Sequence, residues 1–263
     1  MQATHKFAAM LVLACAPCHA YADSLSWEQQ EAFLRKAKIG KAVESKKGVT
    51  GTSVVTLSDG TRTHDASVQT INLSKTLWLG EVNFKDSYAY NIAGWKLARL
   101  LGIGDMVPVS VKRSFKGAEA SFTWWLDEAV MDDAKMQAEK KSPPNPVTWN
   151  QEMAIVRVFD QLIYNMDRNQ TNILIGGDWR VWMIDHGRAF RLHKTLRDPA
   201  VLTQIDRKLL AALKTLTEPT LKKEIGNFVS KSEIQALLAR RDLIVKLFEE
   251  KGGGALFDRP ARP

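Results

Sequence analysis

The sequence predicts an α+β protein of two lobes, a small β-rich N-lobe with one inserted helix followed by a mainly helical C-lobe. Three observations lead there. Short alternating runs broken by Asp-Gly and Lys-Gly turns crowd residues 53–126. One strongly helical stretch interrupts them, and a polar, proline-bearing segment at 140–146 separates them from a region of helical periodicity. With 263 residues, 45% hydrophobic and 25% charged, the chain can bury a core in each lobe, and its composition excludes a disordered chain. The net charge of +8 favours anionic partners without selecting one. Nothing but that charge points to nucleic acid, so no nucleic-acid partner is expected.

Residues 1–22 read as a secretory signal peptide: Lys6, an apolar run over 7–16, then Ala20-Tyr21-Ala22 ahead of a cut before Asp23. The run is shorter than the roughly 20 residues that cross a bilayer, and no later stretch is apolar enough, so no transmembrane span is expected. Leu11-Val12-Leu13-Ala14-Cys15 reads alternatively as a lipoprotein signal, with a lipid anchor at Cys15. Either reading implies export, to a periplasm, an extracellular space or a secretory lumen. Both cysteines, Cys15 and Cys18, lie in this segment, so cysteine usage says nothing about the redox compartment of the fold.

After Asp23, residues 27–38 have helical spacing and lead into a basic, Gly-bearing stretch at 41–51. Runs at 53–57 and 64–71 flank Ser58-Asp59-Gly60, a hairpin signal. Residues 90–101 place Ile92, Trp95, Leu97, Leu100 and Leu101 as a helix does, and Gly102 ends it. Two more strands, 107–113 and 120–126, surround Lys116-Gly117. Residues 23–140 therefore form the N-terminal segment and N-lobe, and 140–146 the linker. In the C-lobe, 147–251, a helix at 151–165 puts Met153, Val156, Phe159 and Ile163 on one face. A hairpin at 172–175 and 181–184 turns at Gly176-Gly177-Asp178, and helices at 209–216, 221–228 and 231–248 follow. The Gly- and Pro-rich tail, 252–263, reads as flexible.

The chemistry concentrates in Asp167-Arg168-Asn169-Gln170-Thr171-Asn172 and in Ile184-Asp185-His186-Gly187. Asp167 closes a helix, Asn172 precedes a strand, and Asp185 ends the paired strand, which directs two carboxylates and one amide into one cleft. Phosphoryl transfer uses such a set, because catalysis there is positioning plus charge neutralisation. A carboxylate at the acceptor hydroxyl orients it and takes its proton, a role suited to Asp167. A hard divalent cation wants oxygen ligands, and Asp185 with Asn172 supplies them. Asp-x-x-x-x-Asn, a hairpin and then Asp-x-Gly is the protein-kinase arrangement of catalytic and metal loops. Either motif alone is most simply a helix end or a strand exit. Together, at this separation, they make chance the weaker account.

The segment from Phe159 to Asn169, with Ile184-Asp185-His186-Gly187-Arg188-Ala189-Phe190, resembles the secretory-pathway kinases of the Fam20 and four-jointed type. It is more distantly similar to HipA-like and phosphatidylinositol kinase-like enzymes. Ile92-Ala93-Gly94-Trp95-Lys96-Leu97, then Val107-Pro108 and Arg113, resembles the small-lobe helix and following strand of the same group. The likeness spans residues 52–191. It implies a two-lobed protein-kinase-like fold that binds ATP and Mg2+ or Mn2+ and phosphorylates a hydroxyl-bearing acceptor. By position, Asp167 would be the catalytic carboxylate, and Asp185 and Asn172 the metal ligands.

Two departures bear on activity. Active relatives place a Lys on a small-lobe strand and a Glu on the inserted helix, where this sequence carries Gln69 and Asn91. An amide pair offers phosphate no positive charge, which should cost several kcal/mol of transition-state stabilisation unless another cation substitutes. Lys75 or Lys85, with Glu81 as partner, is the expected substitute. A catalytically silent kinase fold, acting as a binding or scaffolding module, is the alternative. Gly48 and Gly51 fall where a phosphate-covering loop would lie, although an ordinary turn is the simpler account of a two-glycine motif. Arg188 and Arg191 either meet an anionic substrate, face solvent or pair with Asp160. Arg240 and Arg241 read as a solvated helix face.

Overall fold

The structure is a computed structural model that describes residues 25–44, 52–78 and 80–260. The expected signal peptide with Cys15, and the expected loop glycines Gly48 and Gly51, lie outside the described residues.

Helix α1 (Trp27–Lys36) starts in a capping box, the Ser26 hydroxyl accepting from Gln29 N while the Gln29 side chain accepts from Ser26 N. Strands β1 (Lys38–Glu44), β2 (Ser53–Ser58) and β3 (Thr63–Gln69) follow. The β2–β3 turn is the expected one. Asp59 Oδ1 accepts from Thr61 N at 2.9 Å and Arg62 N at 2.8 Å, and Gly60 takes φ 95°, which suits a residue without Cβ. Strands β4 (Asn72–Trp78) and β5 (Glu81–Ser87) form a separate hairpin. Periodicity gives no sign of β4, because its side chains are almost all exposed. Helix α2 (Tyr88–Leu100) is capped by Ser87 and buried nearly all round, as a helix between two layers must be. Strands β6 (Ser110–Phe115) and β7 (Ala118–Trp124) complete an antiparallel sheet of order β1-β2-β3-β7-β6.

Strand β8 (Ala129–Asp132) and helix α3 (Asp133–Ala138) lead to α4 (Pro146–Ile163). The expected linker therefore ends in a helix start. Asn145 Oδ1 caps Val147 N at 3.0 Å and Thr148 N at 3.1 Å, and Pro146, which has no N–H to lose, opens the first turn. Strands β9 (Ile173–Gly176) and β10 (Val181–Met183) form the second expected hairpin, with β8 paired to the outer side of β9. Strand β11 (Ile205–Asp206), helices α5 (Arg207–Thr215), α6 (Glu218–Ile225) and α7 (Lys231–Lys251), and strand β12 (Leu256–Phe257) finish the fold.

One apolar core runs from Val55, Val68 and Phe122 of the large sheet through Trp95 and Leu97 of α2 to Phe159 and Leu162 of α4. This is the two-lobed, kinase-like α+β architecture. Two readings need correction. Arg240 is fully buried, not solvated, and donates to Leu162 O at 2.7 Å, Arg191 O at 2.9 Å and His193 O. Burial lowers its pKa to about 10, and the three carbonyls replace part of the water it has lost, Nη2 being left without a partner among the described residues. The tail through residue 260 is docked: β12 pairs in parallel with β11, and Arg259 bonds Asp105 and Glu152.

Candidate active site

The loop after α4 is shaped by its own polar side chains. Tyr164 ends the helix in the left-handed region, at φ 50°, and turns the chain toward the cleft. Asn165 Nδ2 donates to Asp160 Oδ1 at 3.0 Å, and Asn165 Oδ1 accepts from Asp167 N at 3.1 Å. Asn172 Nδ2 donates to the Asp167 carbonyl at 3.0 Å, so its amide oxygen is turned away as a free acceptor.

Arg168 holds this loop to the metal loop. Its Nε and one Nη2 hydrogen go to Asp160, at 2.9 and 3.1 Å. Nη1 donates to Asn172 O and Ile184 O, each at 2.7 Å, and Nη2 also reaches His186 Nε2 at 3.2 Å. All five guanidinium hydrogens are spent inside the protein. Asp160, one of the partners considered for Arg188 and Arg191, belongs to Arg168. Complete burial, and Arg168 beside it, hold the His186 pKa well below its ordinary value. The neutral ring accepts from Arg168 at Nε2, which leaves the proton on Nδ1. Its near neighbour is Gly94 of α2, where a Cβ would stand 3.1 Å from the imidazole.

Asp185 sits in the left-handed region at φ 55°, a strained setting for a non-glycine residue. Burial foremost, and then the charges of Asp86 and Asp167, raise its pKa above the ordinary value; the Gly187 N–H and Arg168 oppose them. Arg168 thus ties the Asn172 and Ile184 carbonyls together beside the Asp167–Asn172 bond, and the Asp167 and Asp185 carboxylates lie near enough to repel.

The small lobe faces them with amides. Gln69 Nε2 donates to Thr52 Oγ1 at 3.2 Å, Asn91 Nδ2 to Gln69 Oε1 at 2.6 Å, and His186 N to Asn91 Oδ1 at 2.8 Å. Gln69 and Asn91 are therefore a bonded pair in the positions where the sequence reading expected Lys and Glu. The expected substitute cations are engaged elsewhere. Lys85 Nζ bonds Glu233 of α7 at 2.6 Å, and Lys75 lies over the Trp78 ring. Glu81 stands 2.8 Å from Arg191 Nε, an ion pair without hydrogen-bond alignment. Sequence reasoning missed Asp86. It is almost fully buried, accepts from Arg188 Nε at 2.9 Å, and lies so close over Gly187 that a Cβ there would stand 2.6 Å from Asp86 Oδ1. Its one signal was the Asp86-Ser87 pair ahead of a helix.

A divalent cation suits this donor set. The Asp185 carboxylate carries repulsion from Asp86 and Asp167 that the Gly187 N–H and Arg168 do not fully offset, and the Asn172 oxygen accepts no hydrogen bond from the described residues. Among the described residues, no three His, Cys, Asp or Glu side chains form a metal-holding group. One carboxylate and one amide, completed by phosphate and water, is the sparse set that magnesium accepts.

No family model matches the chain, and no curated protein does. Solved structures match over most of its length. Hydra Fam20 with sugar superposes at a TM-score of 0.65 with 17% identity, covering 88% of this chain and 92% of that one. It has a Fam20-like kinase fold. The Golgi casein kinase gives 0.58 at 15% identity, over 89% of this chain and 79% of that chain. The Helicobacter pylori proinflammatory kinase CtkA gives 0.51 at 12%, over 80% and 92%. At such identities the Fam20-like fold is what is shared, and the chemistry has to be argued from the side chains.

Proposed function

We propose that this Fam20-like chain is an exported phosphotransferase that uses ATP and Mg2+ or Mn2+ to phosphorylate a hydroxyl on a protein, glycan or lipid. The observation that carries the reading is the convergence of Asp167, Asn172 and Asp185 through the fully spent donors of Arg168. Asp167 orients the acceptor hydroxyl and takes its proton as the oxygen bonds to the γ-phosphorus and the bond to the ADP oxygen breaks. Asp185 and Asn172 would hold the cation, which neutralises phosphate charge and orients the leaving group. Gln69 keeps one amide hydrogen for a phosphate oxygen, and Asn91 fixes its direction. The sugar in one structural neighbour and the name casein kinase of another fit glycan and protein acceptors alike.

The test is a thermal melt of the purified chain with ATP and MgCl2 or MnCl2, followed by a phosphotransfer assay. Stabilisation that needs both nucleotide and metal, absent in Asp185→Ala, is expected, with transfer lost in Asp167→Ala. Metal-dependent stabilisation that survives Asp185→Ala would sink the assignment. The neutral Gln69–Asn91 pair favours a second reading, a silent kinase fold that binds without turnover. Phosphotransfer that Asp167→Ala abolishes would rule it out.

A further inference from the structure

The cleft needs a positive charge toward phosphate, and among the described residues the small-lobe cations considered for it are engaged elsewhere. Gln69 and Asn91 are neutral and bonded to each other. Lys85 is committed to Glu233. Arg168 has no hydrogen left, and Arg191 is nearly inaccessible, with Nη1 on the Lys85 carbonyl at 2.7 Å. Arg188 differs from all of these. Its Nε is fixed to Asp86 Oδ2 at 2.9 Å, its Nη1 stands 3.4 Å from Asp167 Oδ2, and 32% of its side chain is open to solvent. Burial pulls its pKa down, but Asp86, Asp167 and Asp185 together push it above the ordinary value.

We propose that Arg188, anchored by Asp86, is the phosphate-facing cation of this site, in place of the missing Lys–Glu pair. The inference rests on the phosphotransferase reading and adds to it the residue that would grip the nucleotide's phosphates. An arginine suits the position, since the planar fork can bond a carboxylate along one edge and phosphate oxygens along the other. Asp86 plays the part of a positioning carboxylate. It stands at the end of β5, one residue before the cap of α2, and Gly187 lets its Oδ1 come close. Ser87 N donates to Gly187 O at 2.9 Å, so anchor and cation are fixed to one another by backbone as well. The 3.4 Å contact with Asp167 is the looser of the two. When phosphate oxygens take the outer guanidinium hydrogens, Asp167 is released to receive the acceptor hydroxyl, while Asp86 keeps its hold. Nucleotide binding and the freeing of the base are then one event.

Calorimetric titration of the purified full chain with ADP and with adenosine, each with MgCl2, tests this. Arg188→Gln should weaken ADP by roughly ten- to a hundredfold, the worth of lost charged hydrogen bonds, and leave adenosine unchanged. Asp86→Asn should weaken ADP in the same selective way, and Arg188→Lys should recover part of the loss. Equal ADP affinity in Arg188→Gln and the parent overturns the proposal. So does parallel loss of ADP and adenosine, which is what a clamp between lobes would give. If the parent itself fails to bind ADP with magnesium, the phosphotransferase reading falls and takes this inference with it. Should the variants not fold, phenylglyoxal labelling of the parent decides: ADP with magnesium should protect Arg188 and adenosine should not, and equal labelling overturns the proposal.

Discussion

Charging Asp185 carries a cost that a bound cation would offset. Its backbone is left-handed, and its carboxyl is disfavoured by burial and by two neighbouring carboxylates. A raised folded pKa means that the penalty is absent below the ordinary value of 3.8, grows as pH rises toward the folded value, and is complete above it. In the nucleotide- and metal-free chain at pH 7, Asp185→Asn should therefore raise Tm by about 1–2 °C, the response of a domain this size to a fraction of a kcal/mol. The gain should vanish below pH 3.8. A variant less stable than its parent at pH 7 in the melt would contradict this account of the site. Glu233 behaves in the opposite sense. Burial alone would raise its pKa, but bonds from Lys85, Tyr90 and the Ser230 N–H win and lower it. Its stabilisation is present above 4.5 and is lost as the pH falls below that through the folded value. Glu233→Gln should cost about 1.5–3 kcal/mol at pH 7 in a urea titration, with the gap to the parent closing below pH 4.5.

Among the elements, α4 matters most, since it delivers the loop that carries Asp167. Its start is held by Asn145, which satisfies two otherwise orphaned N–H groups. Asn145→Ala should cost about 1 kcal/mol and lower Tm by roughly 2–4 °C, with metal-dependent nucleotide binding unchanged. Elements were legible in the sequence where burial is one-sided. The alternation of buried and half-buried residues along β2 is read at once, and so is the apolar face of α5. The β4–β5 hairpin was not, because β4 buries nothing that would mark its period, and Asp86 was lost with it. The Asp167–Asn172 and Asp185 spacing was legible because loop and hairpin geometry fix it locally. Arg188 was visible only as a charge with several candidate partners, since its anchor lies 102 positions away along the chain.

At the scale of the whole molecule, distant segments meet through buried arginines. Arg259 brings the tail onto Asp105 and Glu152, and Arg240 pins α7 under the loop after α4. Truncation after Lys251 removes the first set together with the β11–β12 pairing, and should cost about 3–5 kcal/mol in denaturant titration. The stitch between lobes is finer. Ser87 N bonds Gly187 O, His186 N bonds Asn91 Oδ1, and Gly94 lies against the His186 ring. Swinging α2 outward would break both bonds at once and unroof the imidazole, so the helix has no inexpensive displaced position. In deuterium oxide the amides of Ser87 and His186 should lose their protons with one shared opening rate, as a single latch rather than two. A protein wired this way is ill suited to being toggled by helix rotation, and under the proposed function its output would follow the supply of nucleotide and acceptor instead.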